Sequence, residues 1–288
     1  MNNSKRNYID YVPQPVIHYW NDRFADEILN SYYNLDSSNT DMIAIYKDAA
    51  DALQKELMQA MQKAAAGTAT RSDKLQALRL YGMYDKVQQR LQGCSGLIES
   101  GYNSRVPQGM QDLYKKLSQM VDVADFSQPN LDLMKFLANN TWQGSEFSTR
   151  IWQNNKKLAA EINNSLKNDI LMGNTITEMA VRLNNLMNKG LYNAYRLVRT
   201  ETMHSLNMAS FQRYKDWGCT EVEFSAAQDE RECPRCKMYD GKKYDISKIT
   251  DVPPIHPHCR CTLIPVIESS KSLMDKCNNR YIELKESE

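Results

Sequence analysis

The chain has 288 residues, a quarter of them charged, and a formal net charge of +1. This length can bury roughly one to three domain cores, and the low Gly and Pro content excludes a chain that is disordered throughout. The balanced charge gives no reason to expect a nucleic-acid partner, and no apolar run approaches the roughly 18 residues of a membrane span.

Residues 1–143 are predicted to form an N-terminal helical region. A short helix is expected over residues 16–35, where apolar side chains recur at helical spacing. A long helix is expected from Met42 to Gly67, because an apolar residue occupies every third or fourth position and the glycine ends the run.

A second long helix is predicted to begin near Ser72, a good N-cap, and to end at the glycine-containing run of residues 93–96. Two long amphipathic helices joined by a short link predict an antiparallel hairpin. Residues 97–143 have a less regular pattern, so only short helical pieces are expected there, around residues 110–120 and 131–137.

Residues 144–217 are predicted to be a second helical part. One helix should end at Gly173, and the next should begin at a capping box in which Thr175 and Glu178 each satisfy a free backbone N–H of the other. A further helix is expected after Gly190 and up to the end of this part.

Residues 218–267 are predicted to form a small module that contains β-strands. Residues 219–224 alternate polar and apolar side chains, Asp240-Gly241 is a tight-turn signal, and residues 262–267 are apolar and β-branched. Residues 268–288 are expected to be a charged tail. The predicted fold class is therefore α+β and predominantly helical, with the strands confined to a C-terminal module.

A cluster of metal-ligand residues lies inside this module. Four of the seven cysteines and two of the four histidines fall between Cys233 and Cys261. The N-terminus lacks the apolar stretch of a secretory signal, so we expect synthesis in a reducing cytoplasm, where close cysteines are more often metal ligands or catalytic thiols than disulfides. The sequence therefore predicts a structural Zn²⁺ that closes, or staples, the module.

The spacing favours one ligand set without excluding others. Cys233-Pro-Arg-Cys236 is a two-ligand knuckle, and His256 and Cys259 repeat its three-residue step. Cys261 is the main substitute and would replace His256 in an all-thiolate site. Packed cysteines without metal and a reactive cluster are the alternatives, whereas a catalytic zinc would need an open position and a placed base. The remaining cysteines are expected to be ordinary buried thiols: Cys94, Cys219 and Cys277.

The order of several short motifs resembles the Mu F-like head morphogenesis family, the minor head proteins of tailed phages and prophages. The resemblance covers roughly residues 170–267, and the helical N-terminal half is similar to minor head proteins of phages of Gram-positive bacteria. It is carried by Arg199-Thr200-Glu201-Thr202, Asn207-Met208-Ala209, Tyr214, Gly218, Cys233-x-x-Cys236, Asp240-Gly241-Lys242, Tyr244 and Pro254-x-His256-Pro257-x-Cys259-Arg260-Cys261.

The resemblance implies a virion component at the portal vertex, made in the bacterial host. It implies portal, major capsid and scaffolding proteins as neighbours, and a link to the packaged DNA and its exit. The family's cysteines and histidine map onto Cys233, Cys236, His256, Cys259 and Cys261, whereas His258 falls at a position that the motif leaves open.

Three charged or titratable residues, Arg199, Glu201 and His204, share one predicted helix. We interpret them as a solvated face or an Arg–Glu pair, and the resemblance adds a packing role in which Arg199 or Glu201 supports the cysteine module. The alternative functions are an ADP-ribosyltransferase-like enzyme or toxin and a sequence-independent DNA-binding protein.

The enzyme alternative depends on the run from Arg199 to Glu201 together with Glu221-Val222-Glu223. No Ser-Thr-Ser strand lies between them, and alternating Glu is an ordinary solvent-facing pattern of an edge strand. For the DNA alternative, basic and acidic residues are balanced over 199–265. We therefore expect a structural protein rather than an enzyme.

Overall fold

The computed structural model describes residues 12–64, 70–227, 233–249 and 252–287. Within them lie nine α-helices: α1 (Gln14–Ser37), α2 (Asp41–Ala64), α3 (Arg71–Leu80), α4 (Met83–Val121), α5 (Leu131–Ala138), α6 (Phe147–Met172), α7 (Ile176–Asp216), α8 (Pro234–Lys237) and α9 (Lys271–Glu286). The described strands form one antiparallel sheet: β1 (Glu221–Ser225), β2 (Lys243–Asp245) and β3 (Thr262–Pro265). The predicted, predominantly helical α+β fold is confirmed.

The chain divides into two compact units, each assembled from segments that are distant in sequence. Unit 1 comprises the described residues of 1–35, 106–138 and 200–288, and unit 2 those of 36–105 and 139–199. The predicted boundaries after residues 143 and 217 stay predictions. None of the described helices is long and apolar enough to cross a membrane.

Two of the predicted helix breaks are wrong, because α4 and α7 run through their glycines for 39 and 41 residues. A glycine inside a helix costs only about 1 kcal/mol, which packing of the apolar stripe can offset. In α7, Gly190 also permits a close approach in unit 2, since a Cβ added there would lie 2.3 Å from Leu158 Cδ2.

The predicted second helix is divided, and the irregular middle of the chain is mostly helical. Thr70 caps α3, which packs against α2, and α4 also contacts α2 through the ion pair between Arg90 and Glu56. The chain then turns at Gly82, where φ is +58°, and α4 begins. Residues 97–121 all belong to α4, where the sequence predicts only a short helical piece over residues 110–120, and the piece expected over residues 131–137 is present as α5.

The predicted charged tail is instead helix α9, which packs into unit 1. Ser270 caps it by accepting a hydrogen bond from Leu273 N at 3.3 Å, and its hydroxyl also donates to Trp217 O at 2.6 Å. Leu273 and Cys277 are fully buried, and Trp20 Nε1 donates to Cys277 O at 3.1 Å. The charged residues around these few apolar positions concealed the helix from sequence reasoning.

The sheet rests on the aromatic core of unit 1. In strand order β2-β1-β3, Val222 of the central strand faces Tyr244 on one side and Pro265 on the other. Tyr214 is fully buried, and its hydroxyl donates to Leu263 O of β3 at 3.1 Å. The last turns of α7 therefore fix the strand that follows the second half of the cysteine cluster.

The helical continuity of α4 predicts that Gly93→Ala stabilises the protein. Gly93 is exposed in mid-helix, and an added Cβ would meet nothing within 4 Å. Alanine should therefore raise the free energy of unfolding by about 0.5–1 kcal/mol. Gly190→Val should lower it by about 1–3 kcal/mol through overpacking against Leu158. Urea denaturation of both variants tests this, and a destabilised Gly93→Ala would contradict the continuous helix.

Candidate metal centre

The first half of the cysteine cluster is a knuckle built on α8. Cys233 is the N-cap of this short helix, and Pro234 occupies its first position. A backbone N–H at that position has no partner inside the helix, so the missing N–H of proline costs no hydrogen bond. The backbone N–H of Cys236 donates to Cys233 O at 3.0 Å and to Cys233 Sγ at 3.2 Å. The turn thus places both sulfur atoms on the same side.

The second half is a compact loop that leads into β3. Cys259 N donates to His256 O at 3.1 Å, and His258 adopts a left-handed backbone with φ of +62°. Cys259 and Cys261 are both buried. Pro254, the motif residue at the start of the loop, is buried and follows a cis peptide bond.

The two halves meet at Cys236. His256 Nε2 lies 3.0 Å from the sulfur atoms of both Cys233 and Cys236, and Cys236 Sγ lies 3.8 Å from Cys259 Sγ. The ligand atoms form two groups that share Cys236, each with its members within 4.8 Å of one another: Cys233, Cys236 and His256; and Cys236, Cys259 and Cys261. His258 is in neither group, as expected.

The donor set suits a tetrahedral zinc ion. Thiolates about 2.3 Å from zinc stand about 3.8 Å apart along a tetrahedral edge, which matches the Cys236–Cys259 separation. His256 Nδ1 lies 2.8 Å from Pro257 O. If Nδ1–H donates to this carbonyl, Nε2 carries the lone pair and faces the cysteine sulfur atoms. Metal-binding histidines are commonly oriented by such a hydrogen bond from the other ring nitrogen. These residues therefore could hold a metal ion.

Because the sulfur atoms of the buried thiols lie close together, their pKa values shift in opposite directions. A hydrogen bond from Cys261 lowers the pKa of Cys259 to about 5, although burial opposes this. The same contact and burial raise the pKa of Cys261 well above its ordinary value. Burial, assisted by the neighbouring sulfur atoms, raises the pKa of Cys236 to about 12. Adjacent thiols cannot all become thiolates, because their negative charges repel one another. A bound cation would compensate for that repulsion.

Three of the seven cysteines lie outside the cluster and are ordinary buried thiols, as predicted. Burial raises the pKa of Cys94 to about 11 and that of Cys219 to about 12. Burial also raises the pKa of Cys277 well above its ordinary value.

The Asp240-Gly241 turn leads into β2 and does not connect two strands as a two-residue hairpin loop. Asp240 Oδ1 accepts a hydrogen bond from Ala226 N at 2.8 Å, and Gly241, with φ of +72°, donates its N–H to Phe224 O at 2.9 Å. The turn therefore continues the pairing with β1, although α8 is inserted between the two strands.

The interpretation of Arg199, Glu201 and His204 as a solvated face is wrong. Glu201 is 2 % exposed and His204 is 8 % exposed, and this stretch of α7 belongs to unit 1. Arg199 belongs to unit 2, where its Nε lies 3.3 Å from Asp36 Oδ1. Thr200, the motif residue between Arg199 and Glu201, accepts a hydrogen bond from His258 N at 3.3 Å.

The Glu-x-Glu pair also differs from expectation, because β1 is the central strand and not an edge. Glu221 is exposed, whereas Glu223 is half-buried, and burial raises the pKa of Glu223. Sequence reasoning assigned no role to Asn207, which contacts Cys261, Thr262 and Leu263. Its signal in the sequence was its place in the motif Asn207-Met208-Ala209.

Comparison with known proteins supports the family resemblance. Residues 160–264 match the family model described as Phage Mu protein F like protein, which confirms the resemblance to the Mu F-like family. A curated relative, NAD(+)–arginine ADP-ribosyltransferase EFV of Enterococcus faecalis, is 23 % identical over 268 residues, or 85 % of this chain and 54 % of the relative. The chain thus spans about half of that relative's length. No solved structure matches significantly.

The pKa pattern predicts an order of thiol alkylation in chelator-treated protein. Partial burial raises the pKa of Cys233, but hydrogen bonds from Cys236 outweigh it and leave the pKa below its ordinary value. With a pKa of about 11, Cys94 is only about one part in ten thousand thiolate at pH 7. Cys233 should therefore react with N-ethylmaleimide before Cys94 and Cys219, as peptide mass spectrometry would show. Faster labelling of Cys94 would contradict the assigned burial.

Proposed function

Because residues 160–264 match the Mu F-like family, we propose that this chain is a structural minor head protein of a tailed phage or prophage. It would associate with the portal vertex and act in head morphogenesis and in DNA packaging or ejection. The match carries this proposal, since it supports a phage head morphogenesis protein and covers all of α7, the whole cysteine cluster and the sheet except Pro265.

The proposed partners are head proteins. Portal protein is the primary one, with major capsid and scaffolding proteins and the packaged DNA as further neighbours in the virion. A protein that assembles with others needs a rigid framework more than an open catalytic pocket. Three of the four cysteines in the cluster are buried, Cys236 N donates to Cys233 Sγ, and Asn207 Nδ2 donates to Cys261 O. This local order supports such a role.

Within this protein, we propose that Zn²⁺ is bound by Cys233, Cys236, His256 and Cys259. Cys236 contacts both His256 and Cys259, so these ligands can surround one ion. Cys261 serves as a hydrogen-bond partner of the Cys259 sulfur and is the first substitute ligand. The ion would tie α8 to the loop before β3, which supplies stability and performs no reaction.

The proposed centre predicts that Cys236→Ser removes the metal. Wild-type protein expressed with ample zinc should carry close to one equivalent, whereas Cys236→Ser should carry less than about a tenth and unfold at lower temperature, because metal binding contributes directly to folding. The matched control is Cys94→Ser, which alters a buried thiol outside the cluster. Inductively coupled plasma analysis measures the metal, and a zinc-free wild type would contradict the centre.

Assembly can be tested by co-expression with the portal and major capsid proteins of the same phage. We expect this chain to sediment with portal rings in a density gradient and to remain with them through assembly into heads. A chain that stays at the top of the gradient, with portal rings intact below it, would overturn the assignment to the portal vertex. The Cys236→Ser variant then shows whether the metal centre is needed for association.

An arginine-specific ADP-ribosyltransferase is the second candidate, because the curated relative with that name aligns with 85 % of this chain. The alignment reaches only 54 % of the relative, so the region with transferase chemistry can lie outside the shared part. Incubation with labelled NAD⁺ and an arginine acceptor should leave the acceptor unlabelled. Transfer that is abolished by Glu223→Gln would reverse the ranking of the two functions.

A further inference from the structure

One stretch of α7 is buried on nearly every side and is nevertheless polar. Between Thr200 and Tyr214, the buried polar side chains include Glu201, Thr202, His204, Ser205, Asn207 and Ser210. A helix buried all round is ordinarily apolar, because each buried polar group must be paired to avoid a desolvation cost. Two polar residues of this stretch, half-buried Thr200 and buried Asn207, make hydrogen bonds to the loop of the proposed metal centre.

Asn207 is the more strongly engaged of the two. Its Nδ2 donates to Cys261 O at 3.2 Å and to Met203 O, in its own helix, at 3.1 Å. Its Oδ1 accepts from Thr262 Oγ1 at 2.7 Å and from Leu263 N at 3.1 Å. Both donors and both lone pairs of the amide are thus used, which leaves its orientation no freedom.

Thr200 holds the other end of the same loop. Its Oγ1 accepts the N–H of His258 at 3.3 Å, directly before Cys259 in the sequence. Thr200 and Asn207 are seven residues apart, which is two helical turns or about 10.5 Å on one face of α7. The loop segment with Cys259 and Cys261 therefore runs between two fixed points on one rigid helix.

We propose that Thr200 and Asn207 are positioning residues of the metal centre, and that α7 acts as the template that aligns the second pair of ligands with Cys233 and Cys236. This inference rests on the proposed zinc centre. Groups that orient metal ligands typically change metal affinity by about 10- to 100-fold when they are removed. Neither residue touches the ion, so their effect must pass through the loop backbone.

Thr200→Val tests the proposal with little risk to folding, because valine has the same shape and lacks only the accepting oxygen. Thr202→Val is the matched control, since Thr202 is two residues away in the same helix and its buried Oγ1 has no hydrogen-bond partner among the described residues. Competition for zinc with a chromophoric chelator, using the full chain at constant pH, should show about tenfold weaker binding for Thr200→Val. Thr202→Val should match wild type, and Thr200→Ser should restore the affinity.

Cobalt substitution separates positioning from general stability. The visible absorption of protein-bound Co²⁺ reports ligand geometry, so its bands should shift in Thr200→Val and remain unchanged in Thr202→Val. Asn207→Ala should weaken zinc binding further, by up to about 100-fold, with exposed Asn185→Ala as its control. If Asn207→Ala does not fold, the comparison of Thr200→Val with Thr202→Val still tests the proposal.

The outcomes of these experiments distinguish failure of the positioning role from failure of the proposed zinc centre. A wild-type chain that binds no zinc overturns both the metal centre and its positioning residues. A wild-type chain that binds zinc, together with Thr200→Val and Thr202→Val variants of equal affinity and identical cobalt spectra, overturns only the positioning role. Neither result bears on association with portal rings, which is measured separately.

Discussion

The buried amide of Asn207 joins the three parts of unit 1 that matter for the candidate site. It is anchored to its own helix at Met203 O, it accepts the N–H of Leu263 in β3, and it donates to the carbonyl of Cys261. Because a buried amide is costly when any of its groups lacks a partner, these contacts together favour a single orientation of the Asn207 side chain. The orientation of α7 thereby determines where the second half of the cysteine cluster lies.

The small sheet could not supply this order alone. Its strands have five, three and four residues, which is too little for independent stability in water. Two additional constraints compensate. The aromatic core with Tyr214 holds β3 from one side, and the shared position of Cys236 between His256 and Cys259 connects α8 to the loop before β3. Zinc at the cluster would add its binding energy to folding of the module.

The comparisons support a protein of phage heads and also contain the observation that favours the enzyme alternative. The same chain that matches a Mu F-like family model resembles half of a curated transferase. Likeness of fold does not transfer chemistry, which depends on particular side chains. In unit 1 the polar groups around Asn207 order the loop before β3, and those around Cys236 could hold a metal ion, whereas Glu221 of the Glu-x-Glu pair is exposed.

Local patterns in the sequence determined the helical nature of the chain, the long helix from Met42, the three strand regions and the set of candidate ligands around Cys233 and Cys261. These features depend on periodicity and on ligand spacing within short segments, which a linear pattern contains. Only the tertiary structure decided that α4 and α7 continue through Gly93 and Gly190, that α9 packs against unit 1, and that Glu201 and His204 are buried. The physical reason is that a helix break, the docking of a charged helix and the burial of a polar residue depend on what lies opposite in space, and those neighbours come from distant parts of the chain.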